Sequence, residues 1–255
     1  MSSILGVPVD AAYHLVFGLT SFLTPVLGGL AAVAAIVLFT VAARLILMPL
    51  SLRGLRGQAA QARLAPQLQD LRKRYAKQPE RLQREMTALY KREGTSMFAG
   101  LTPLLLQWPL LSVMYLLFRS PQVGGKPNTL LSRDLFGVPL GTHWLSGAGP
   151  ASLQGVVFLG VFALLAGLCW LSVRLGQAMT ARKAGVDGAN APGGALIRVL
   201  PYLTVVIAAF IPLAAGIYLL TSTGWALAER SFFWRTGRIS GAAPTSAKPA
   251  VAARN

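Results

Sequence analysis

Charge is scarce in this sequence, and acidic charge is scarcer still. Only 13% of the 255 residues are charged, with 24 Lys or Arg against 8 Asp or Glu, whereas roughly a quarter of the residues in soluble domains are charged. Hydrophobic residues make up 54% of the chain. An ordinary core could not bury this much apolar surface, so the composition excludes a typical soluble domain and predicts an integral membrane protein.

Cysteine and histidine are almost missing. A single cysteine, Cys169, excludes an intramolecular disulfide and any site built from several thiolates. The two histidines, His14 and His143, fall outside the predicted spans, which disfavours the serine–histidine pair of an intramembrane protease. The aspartates lie in flanking or loop segments, so two close intramembrane carboxylates are not expected either. We therefore predict no catalytic residue, no cofactor and no metal site.

Long uncharged runs are plentiful. Three have about the length of one membrane span; the fourth, residues 199–228, has 30 residues, too long for one untilted helix and short for two. Pro212, near its middle, is a natural breaking point. The runs are 26–43 continuing past Arg44 to residue 52, then 97–118, 151–173 and 199–228.

The distribution of Lys and Arg predicts the topology. Residues 1–43 hold none, residues 53–94 hold eleven, 119–152 three, 174–198 four and 229–255 five. Because cytoplasmic loops carry the excess of basic residues, the amino terminus is predicted outside and residues 53–94 inside. A single crossing by 199–228 would leave the basic tail outside, whereas two crossings return it to the cytoplasm. The pattern therefore favours five spans in the cell membrane.

The predicted fold is an all-α membrane protein with five transmembrane helices. Residues 1–25 lack a positively charged start and a cleavage pattern, so they are expected to be retained. They fit an interfacial helix, with a buried extension of span one as the alternative. The predicted segments are an outer interfacial helix at 1–25, span one at 26–52, a cytoplasmic helical hairpin at 53–95, span two at 97–118, an outer loop at 119–150, span three at 151–173, a cytoplasmic loop at 174–198, span four at 199–211, span five at 212–230 and a disordered basic tail at 231–255.

Apolar residues recur at helical spacing within the basic segment 53–95, which predicts two amphipathic helices. Gln78 and Pro79 separate them, Pro79 suits a first helical turn, and Gly94 is placed to end the second helix. An antiparallel helical hairpin is expected. The two apolar series are Leu64, Leu68, Leu71 and Tyr75, followed by Leu82, Met86 and Leu89.

Arg44 lies inside the first apolar run, about 12 Å before the basic residues that follow it. One interpretation is that its long side chain reaches the cytoplasmic headgroups. The other is that its guanidinium faces a water-filled cavity among the helices. The uncharged runs contain no acidic residue to neutralise it, and this absence favours water access over a buried salt bridge.

Further polar side chains in the spans are candidates for the same cavity. On a helix, Ser222 and Trp225 lie about 40° and 20° from Tyr218, so the three residues form one stripe, with Thr221 at its edge. Helix packing and interface anchoring are the structural alternatives for these residue types. Together with Arg44, the candidate residues of this cavity are Gln107, Ser112, Tyr115, Tyr218, Ser222 and Trp225.

Several blocks of the sequence resemble the YidC family of membrane protein insertases. They occur in family order from about residue 13 to 235. The blocks are Arg44-Leu-Ile-Leu-Met-Pro49-Leu50, Pro66, the run from Glu85 to Glu93, Thr102-Pro-Leu-Leu-Leu-Gln107-Trp-Pro109 with Tyr115, Asp134-Leu-Phe-Gly-Val-Pro139, and Pro212 to Trp225.

The resemblance implies a hydrophilic groove that is open to the cytoplasm and to lipid, with Arg44 inside it. A client's polar or acidic segment would be held there and then released sideways into the bilayer, without bond chemistry. The implied partners are nascent membrane-protein clients, with ribosomes, targeting factors, the Sec channel and anionic lipids as further candidates. A direct nucleic-acid function is not expected. A small polytopic transporter and, less favoured, an intramembrane protease remain the alternatives.

Overall fold

The computed structural model describes residues 6–94, 96, 102–146, 149, 151–184 and 200–237. For residues 62, 65, 102–107, 146, 179–184 and 200 it describes the backbone alone. The described secondary structure is mainly helical. Seven α-helices are assigned in these ranges: α1 Gly6–Leu27, α2 Ala31–Arg74, α3 Pro79–Arg92, α4 Thr102–Arg119, α5 Leu153–Ala184, α6 Leu203–Ala208 and α7 Leu213–Arg235.

Two helical segments in the described part are long and apolar enough to cross a membrane. They are residues 6–61 and 153–178, each with a mean hydropathy of 2.5 in its most apolar window. Large apolar side chains on α5, including Leu159, Leu164 and Trp170, are exposed. Exposed apolar surface of this extent is unusual in a soluble monomer, so these side chains face lipid. The chain is a membrane protein; the number of its spans stays a prediction.

Contacts divide the chain into two units, one made of Met1–Ser51 with Pro103–Glu229 and the other of Leu52–Thr102 with Arg230–Asn255. The first unit has a core to which α1, α2, α4, α5 and α7 all contribute. Its completely or almost completely buried large side chains include Val16, Ile36, Met114, Phe118, Phe158, Leu165 and Tyr218.

A structured loop follows α4 in this unit. It contains two short antiparallel hairpins, Gln122–Val123 (β1) with Lys126–Pro127 (β2) and Asp134–Leu135 (β3) with Val138–Pro139 (β4). Buried Asn128 joins the loop to the end of α4 by donating from Nδ2 to the carbonyl oxygens of Leu117, at 2.5 Å, and Ser120, at 3.0 Å. The carbonyl oxygen of Leu117, in the last turn of α4, and that of Ser120, just after the helix, thereby gain a donor.

The same loop holds the start of α7. Pro212 precedes the helix and has no N–H to donate, while the backbone N–H groups of Leu213 and Ala214 donate to the carbonyl oxygens of Thr142, at 2.8 Å, and Leu140, at 3.0 Å. Helix α7 then packs on α5, where a Cβ on Gly224 would lie 3.6 Å from the Leu168 side chain. The beginning of α7 is therefore tied to the loop by hydrogen bonds, and its middle packs closely on a neighbouring helix.

The second unit contains a helical hairpin made by the end of α2 and by α3. Leu64, Leu89 and Tyr90 are buried together, with Leu68, Leu71 and Met86 packed against them. Gln78 is the residue before α3, Pro79 occupies its first turn, and Gly94 has a φ of +61° just after its end. The cluster contains five of the seven apolar residues of the two predicted series together with Tyr90, while Tyr75 and Leu82 are not part of it.

Several helix ends differ from the predicted segment boundaries. Helix α2 continues without interruption from 31 to 74, so span one and the first hairpin helix are one helix. Helices α5 and α7 continue to residues 184 and 235, beyond the predicted span ends at 173 and 230. In α5 the residues after the apolar run include Arg, Gln, Ala, Met and Lys, which have good helix propensity, and in α7 aromatic residues follow the run, so the end of an uncharged run does not end a helix.

The predicted span four, residues 199–211, has only a short described helix. A 3₁₀ turn at Leu200–Tyr202 leads into α6, which has 6 residues, and the chain leaves the helical conformation at residue 209. Residues 185–199, residues 97–101 and the tail from 238 lie outside the described residues. The predicted cytoplasmic loop and disordered tail therefore stay predictions over those ranges, and so does the fourth crossing.

Candidate functional site

Arg44 is buried within the first unit and is bound to α7. Its side chain is 7% exposed, and its Nε donates a hydrogen bond to the hydroxyl oxygen of Ser222 at 3.0 Å. One of its terminal nitrogens, Nη2, donates to the same oxygen. Ser222 itself is fully buried. The guanidinium therefore does not extend along α2 toward its polar end but turns to the neighbouring helix.

Two further polar residues lie seven residues, or about two helical turns, beyond this contact. Ser51 follows Arg44 by seven residues on α2, and Glu229 follows Ser222 by seven residues on α7. The Ser51 hydroxyl is close enough to interact with the Glu229 carboxylate. Because both contacts advance in the same direction along the chain, α2 and α7 run parallel through this region.

Glu229 is a buried acidic residue at 7% exposure, and the guanidinium of Arg44 attracts its carboxylate. Other acidic side chains in the described part of the chain are exposed or only partly buried. Glu229 lies within the predicted span five, 212–230, so the expectation that no other span contains an acidic residue does not hold for the sequence itself. It comes directly after the uncharged run 199–228, and an inspection of the uncharged runs alone does not include it.

The polar stripe predicted on the last helix is present on α7, and Glu229 extends it. Positions 218, 222, 225 and 229 fall within about 60° of one another around the helix. Among the described residues, three buried polar atoms of this stripe have no hydrogen-bond partner: the Tyr218 hydroxyl, Trp225 Nε1 and Glu229 Oε1. Tyr218 lies near Ser222, but their contact lacks the geometry of a hydrogen bond.

The other predicted site residues make different contacts. Tyr115 accepts a hydrogen bond from Arg119 on its own helix, and the Arg119 guanidinium lies 5.5 Å from the Tyr115 ring centre. Ser112 is half-buried on α4. Neither residue forms a hydrogen bond to Arg44 in the described structure. Gln107 belongs to α4, but its side chain lies outside the described residues, so its predicted role stays a prediction.

The described ranges contain possible metal ligands and the one cysteine of the chain. Within them, no three His, Cys, Asp or Glu side chains come together as a metal site would require. Cys169 is buried in α5, and its thiol donates to the carbonyl oxygen of Pro201 at 3.2 Å. The site can therefore offer charge and hydrogen bonds to a polar segment.

Comparison with known sequences gives a family match over most of the chain. The model of the family described as 60Kd inner membrane protein matches residues 22–239. The chain is 34% identical over 114 residues to a membrane protein insertase YidC of Clostridium tetani, a match covering 45% of this chain and 52% of the relative. It is 38% identical over 86 residues to that of Clostridium perfringens, covering 34% and 36%.

A longer match, of 142 residues at 30% identity, is to a membrane protein insertase YidC of Helicobacter pylori, where it covers 51% of this chain and 26% of the relative. The chain thus spans about half or less of the length of these relatives. The matched family residues 22–239 include Arg44, Ser51, Ser222 and Glu229.

Proposed function

The chain belongs to the family of 60Kd inner membrane proteins, and we propose that it is a YidC-type membrane protein insertase. It receives segments of nascent membrane proteins in a hydrophilic groove open to the cytoplasm and releases them laterally into the bilayer. The process makes and breaks no covalent bond. The observation that carries the proposal is the buried guanidinium of Arg44 on the polar stripe of α7.

A charge within the apolar part of a membrane protein is costly and is retained mainly at functional sites. Arg44 has exposed apolar neighbours, Leu45 and Ile46, on its own helix, yet its side chain turns inward to Ser222. This orientation supports a role among the helices over one at the lipid headgroups. A guanidinium in that position attracts carboxylates and polar peptide groups of a client segment.

Buried polar atoms of the stripe that lack a hydrogen-bond partner support the same proposal. Buried polar groups in native proteins almost always have hydrogen-bond partners. The Tyr218 hydroxyl, Trp225 Nε1 and Glu229 Oε1 have none within the described residues. Polar groups of a client, or water that accompanies it, can complete these hydrogen bonds, which makes the stripe one wall of the proposed groove. Gln107, Ser112 and Tyr115 of α4 are proposed as further residues of the groove.

We further propose five spans, with the amino terminus outside and the carboxy terminus in the cytoplasm. The distribution of Lys and Arg supports this topology, and the parallel course of α2 and α7 supports it independently. If α2 crosses from outside to inside, α7 does so too, and an odd number of spans follows. The hairpin of α2 and α3 then lies in the cytoplasm. It carries exposed basic residues such as Arg72 and Arg74. There it can meet ribosomes, targeting factors, the Sec channel or anionic lipids.

The test is insertion of a single-span client with an acidic outer tail into liposomes that contain the protein, scored by protease protection. Arg44→Ala is compared with Arg44→Lys, which keeps the charge, and with Arg53→Ala, which removes an exposed charge from the same helix. We expect Arg44→Ala to slow insertion at least about tenfold, since hydrogen bonds to charged groups contribute roughly 1.5–3 kcal/mol. Arg44→Lys and Arg53→Ala should stay closer to the wild type.

Equal insertion by the wild type and Arg44→Ala would leave the insertase function standing but would refute attraction by Arg44 as its cause. Wild-type insertion no better than that of empty liposomes would overturn the proposed function itself.

A further inference from the structure

We propose that the hairpin of β3 and β4 inserts its tip, Phe136, into the outer leaflet of the bilayer and anchors the structured loop there. The partner is phospholipid, at the boundary between the headgroups and the acyl chains. The inference goes beyond the proposed insertase function and does not depend on it. Only the choice of the outer leaflet rests on the proposed topology.

The backbone of the tip is unusual for the side chain that it carries. Phe136 and Gly137 form the two-residue turn of the hairpin, with φ angles of +51° and +78°. Turns with positive φ at both central residues favour Asn, Asp or Gly, and a bulky residue there is a steric outlier. Asp134 fixes the turn, because its carboxylate accepts a hydrogen bond from the Gly137 N–H at 2.9 Å. Phenylalanine therefore carries a conformational cost at this position that asparagine would avoid.

The side chain of Phe136 adds little to the packing of the loop. It is 68% exposed, whereas Val138, on the other side of the turn, is buried and Leu135 packs against the core. A large apolar side chain that is both strained and exposed is not explained by contacts within the protein. Burial in lipid would remove its apolar surface from water and so stabilise it.

The hairpin lies at the ends of α2 and α5, which belong to the two segments that are long and apolar enough to cross a membrane. Strand β3 contacts the 3₁₀ turn Gly28–Leu30, directly before α2. On the other side, a Cβ on Gly137 would lie 3.5 Å from the side chain of Leu153, the first residue of α5. Leu153 is exposed and begins the lipid-facing side of α5. The lipid around α5 therefore reaches the level of the hairpin tip.

Further exposed apolar side chains occur on the segments next to the hairpin. Leu30 belongs to the turn that β3 contacts, and Leu145 follows a tryptophan whose ring packs on two phenylalanines of α5. With Phe136 and Leu153 they form an apolar patch at one end of the two helices. A patch of this kind marks an interaction site, and its place beside two apolar helices indicates that the partner is lipid.

The experiment uses the full chain in liposomes that contain no other protein. Cys169→Ala removes the single cysteine, and a fluorophore is attached to Phe136→Cys. Leu164→Cys, on the exposed apolar side of α5, and Lys126→Cys, on the exposed hairpin of β1 and β2, are the deep and shallow controls. Quenching is measured with iodide in the water and with lipids that carry a nitroxide at different depths. Thermal unfolding in detergent checks that each variant is folded.

We expect the nitroxide lipids to quench the fluorophore on Phe136→Cys at a depth of roughly 5–10 Å into the boundary of headgroups and acyl chains. Iodide should quench it less than the fluorophore on Lys126→Cys. Equal iodide quenching at the two positions would overturn the inference, because the tip would then lie in water. Protection from both quenchers would also overturn it, since a second copy of the chain would then cover the tip.

A fluorophore has an affinity for lipid of its own, so a second measurement uses the unlabelled chain. Phe136→Trp keeps an aromatic ring at the tip, and Lys126→Trp is the matched control. We expect brominated lipids to quench the fluorescence that Phe136→Trp adds to the wild type, and to quench the contribution of Lys126→Trp less. Equal quenching of the two contributions would overturn the inference. Neither measurement involves a client, so insertion assays test the proposed function separately.

Discussion

Replacing Leu89 by alanine is expected to undock α3 from the hairpin. Leu89 is 7% exposed and is buried against Leu64 and Tyr90. Helix α3 has 14 residues, and a helix of that length is only marginally stable by itself in water. Packing of this cluster, rather than helix propensity, therefore holds α3 in place.

The magnitude follows from the cost of emptying a buried leucine site. A Leu→Ala substitution in a packed cluster costs about 2–5 kcal/mol, from lost burial and from the remaining cavity. At 1.4 kcal/mol for each factor of ten, the population of the undocked state should rise at least roughly 30-fold. Local opening of this kind exposes the backbone amides of the helix.

The assay is hydrogen exchange followed by mass spectrometry on peptides covering residues 79–92, with the protein in detergent or nanodiscs. Arg84→Ala on the same helix is the matched control, because Arg84 is exposed and surface substitutions change stability by at most about 0.5 kcal/mol. Exchange in α5 serves as an internal reference. Unchanged protection of α3 in Leu89→Ala would refute the argument that this cluster holds the helix.

Two further predictions concern the first unit. Asn128→Ala should lower the free energy of unfolding of this unit by about 2–3 kcal/mol, because the carbonyl oxygens of Leu117 and Ser120 lose their shared donor and unsatisfied buried acceptors are costly. A decrease in unfolding temperature no larger than that caused by Gln122→Ala, at an exposed position, would contradict this prediction. Gly224→Leu should destabilise by about 1–3 kcal/mol through overpacking against Leu168, whereas Gly224→Ala should be tolerated. Gly160→Leu is the control, because a Cβ at that position meets no atom within 4 Å. Equal unfolding temperatures for the two leucine variants would argue against close packing of α5 and α7.

Much of the fold could be predicted because apolar pattern and turn chemistry act locally. The apolar series of the hairpin predicted the packed cluster of α2 and α3, and Pro79 and Gly94 marked the ends of α3. The polar stripe through Tyr218 and Ser222 was visible from helical periodicity alone. Helix ends were harder to predict, because polar residues after an apolar run continue a helix as readily as apolar ones, as α2 and α5 demonstrate.

Part of the candidate site could not be predicted. Arg44 was identified because a charge interrupts an apolar run, but its partner Ser222 is 178 positions away along the chain. Glu229 lies within the predicted span five and continues the polar stripe from 222 to 229. It was not included among the site residues because a charge next to an uncharged run usually marks the end of a span.

The sequence by itself determined that the chain is a helical membrane protein, since hydropathy and periodicity depend only on the order of residues. It also determined family membership, which rests on residues 22–239. Only the tertiary structure decided which charges and hydroxyls share a site. Packing brought α2 beside α7, joined Arg44 to Ser222 by hydrogen bonds, and buried Glu229 on the same stripe of α7. Burial and electrostatic attraction between residues far apart in sequence arise from that packing and have no local signal.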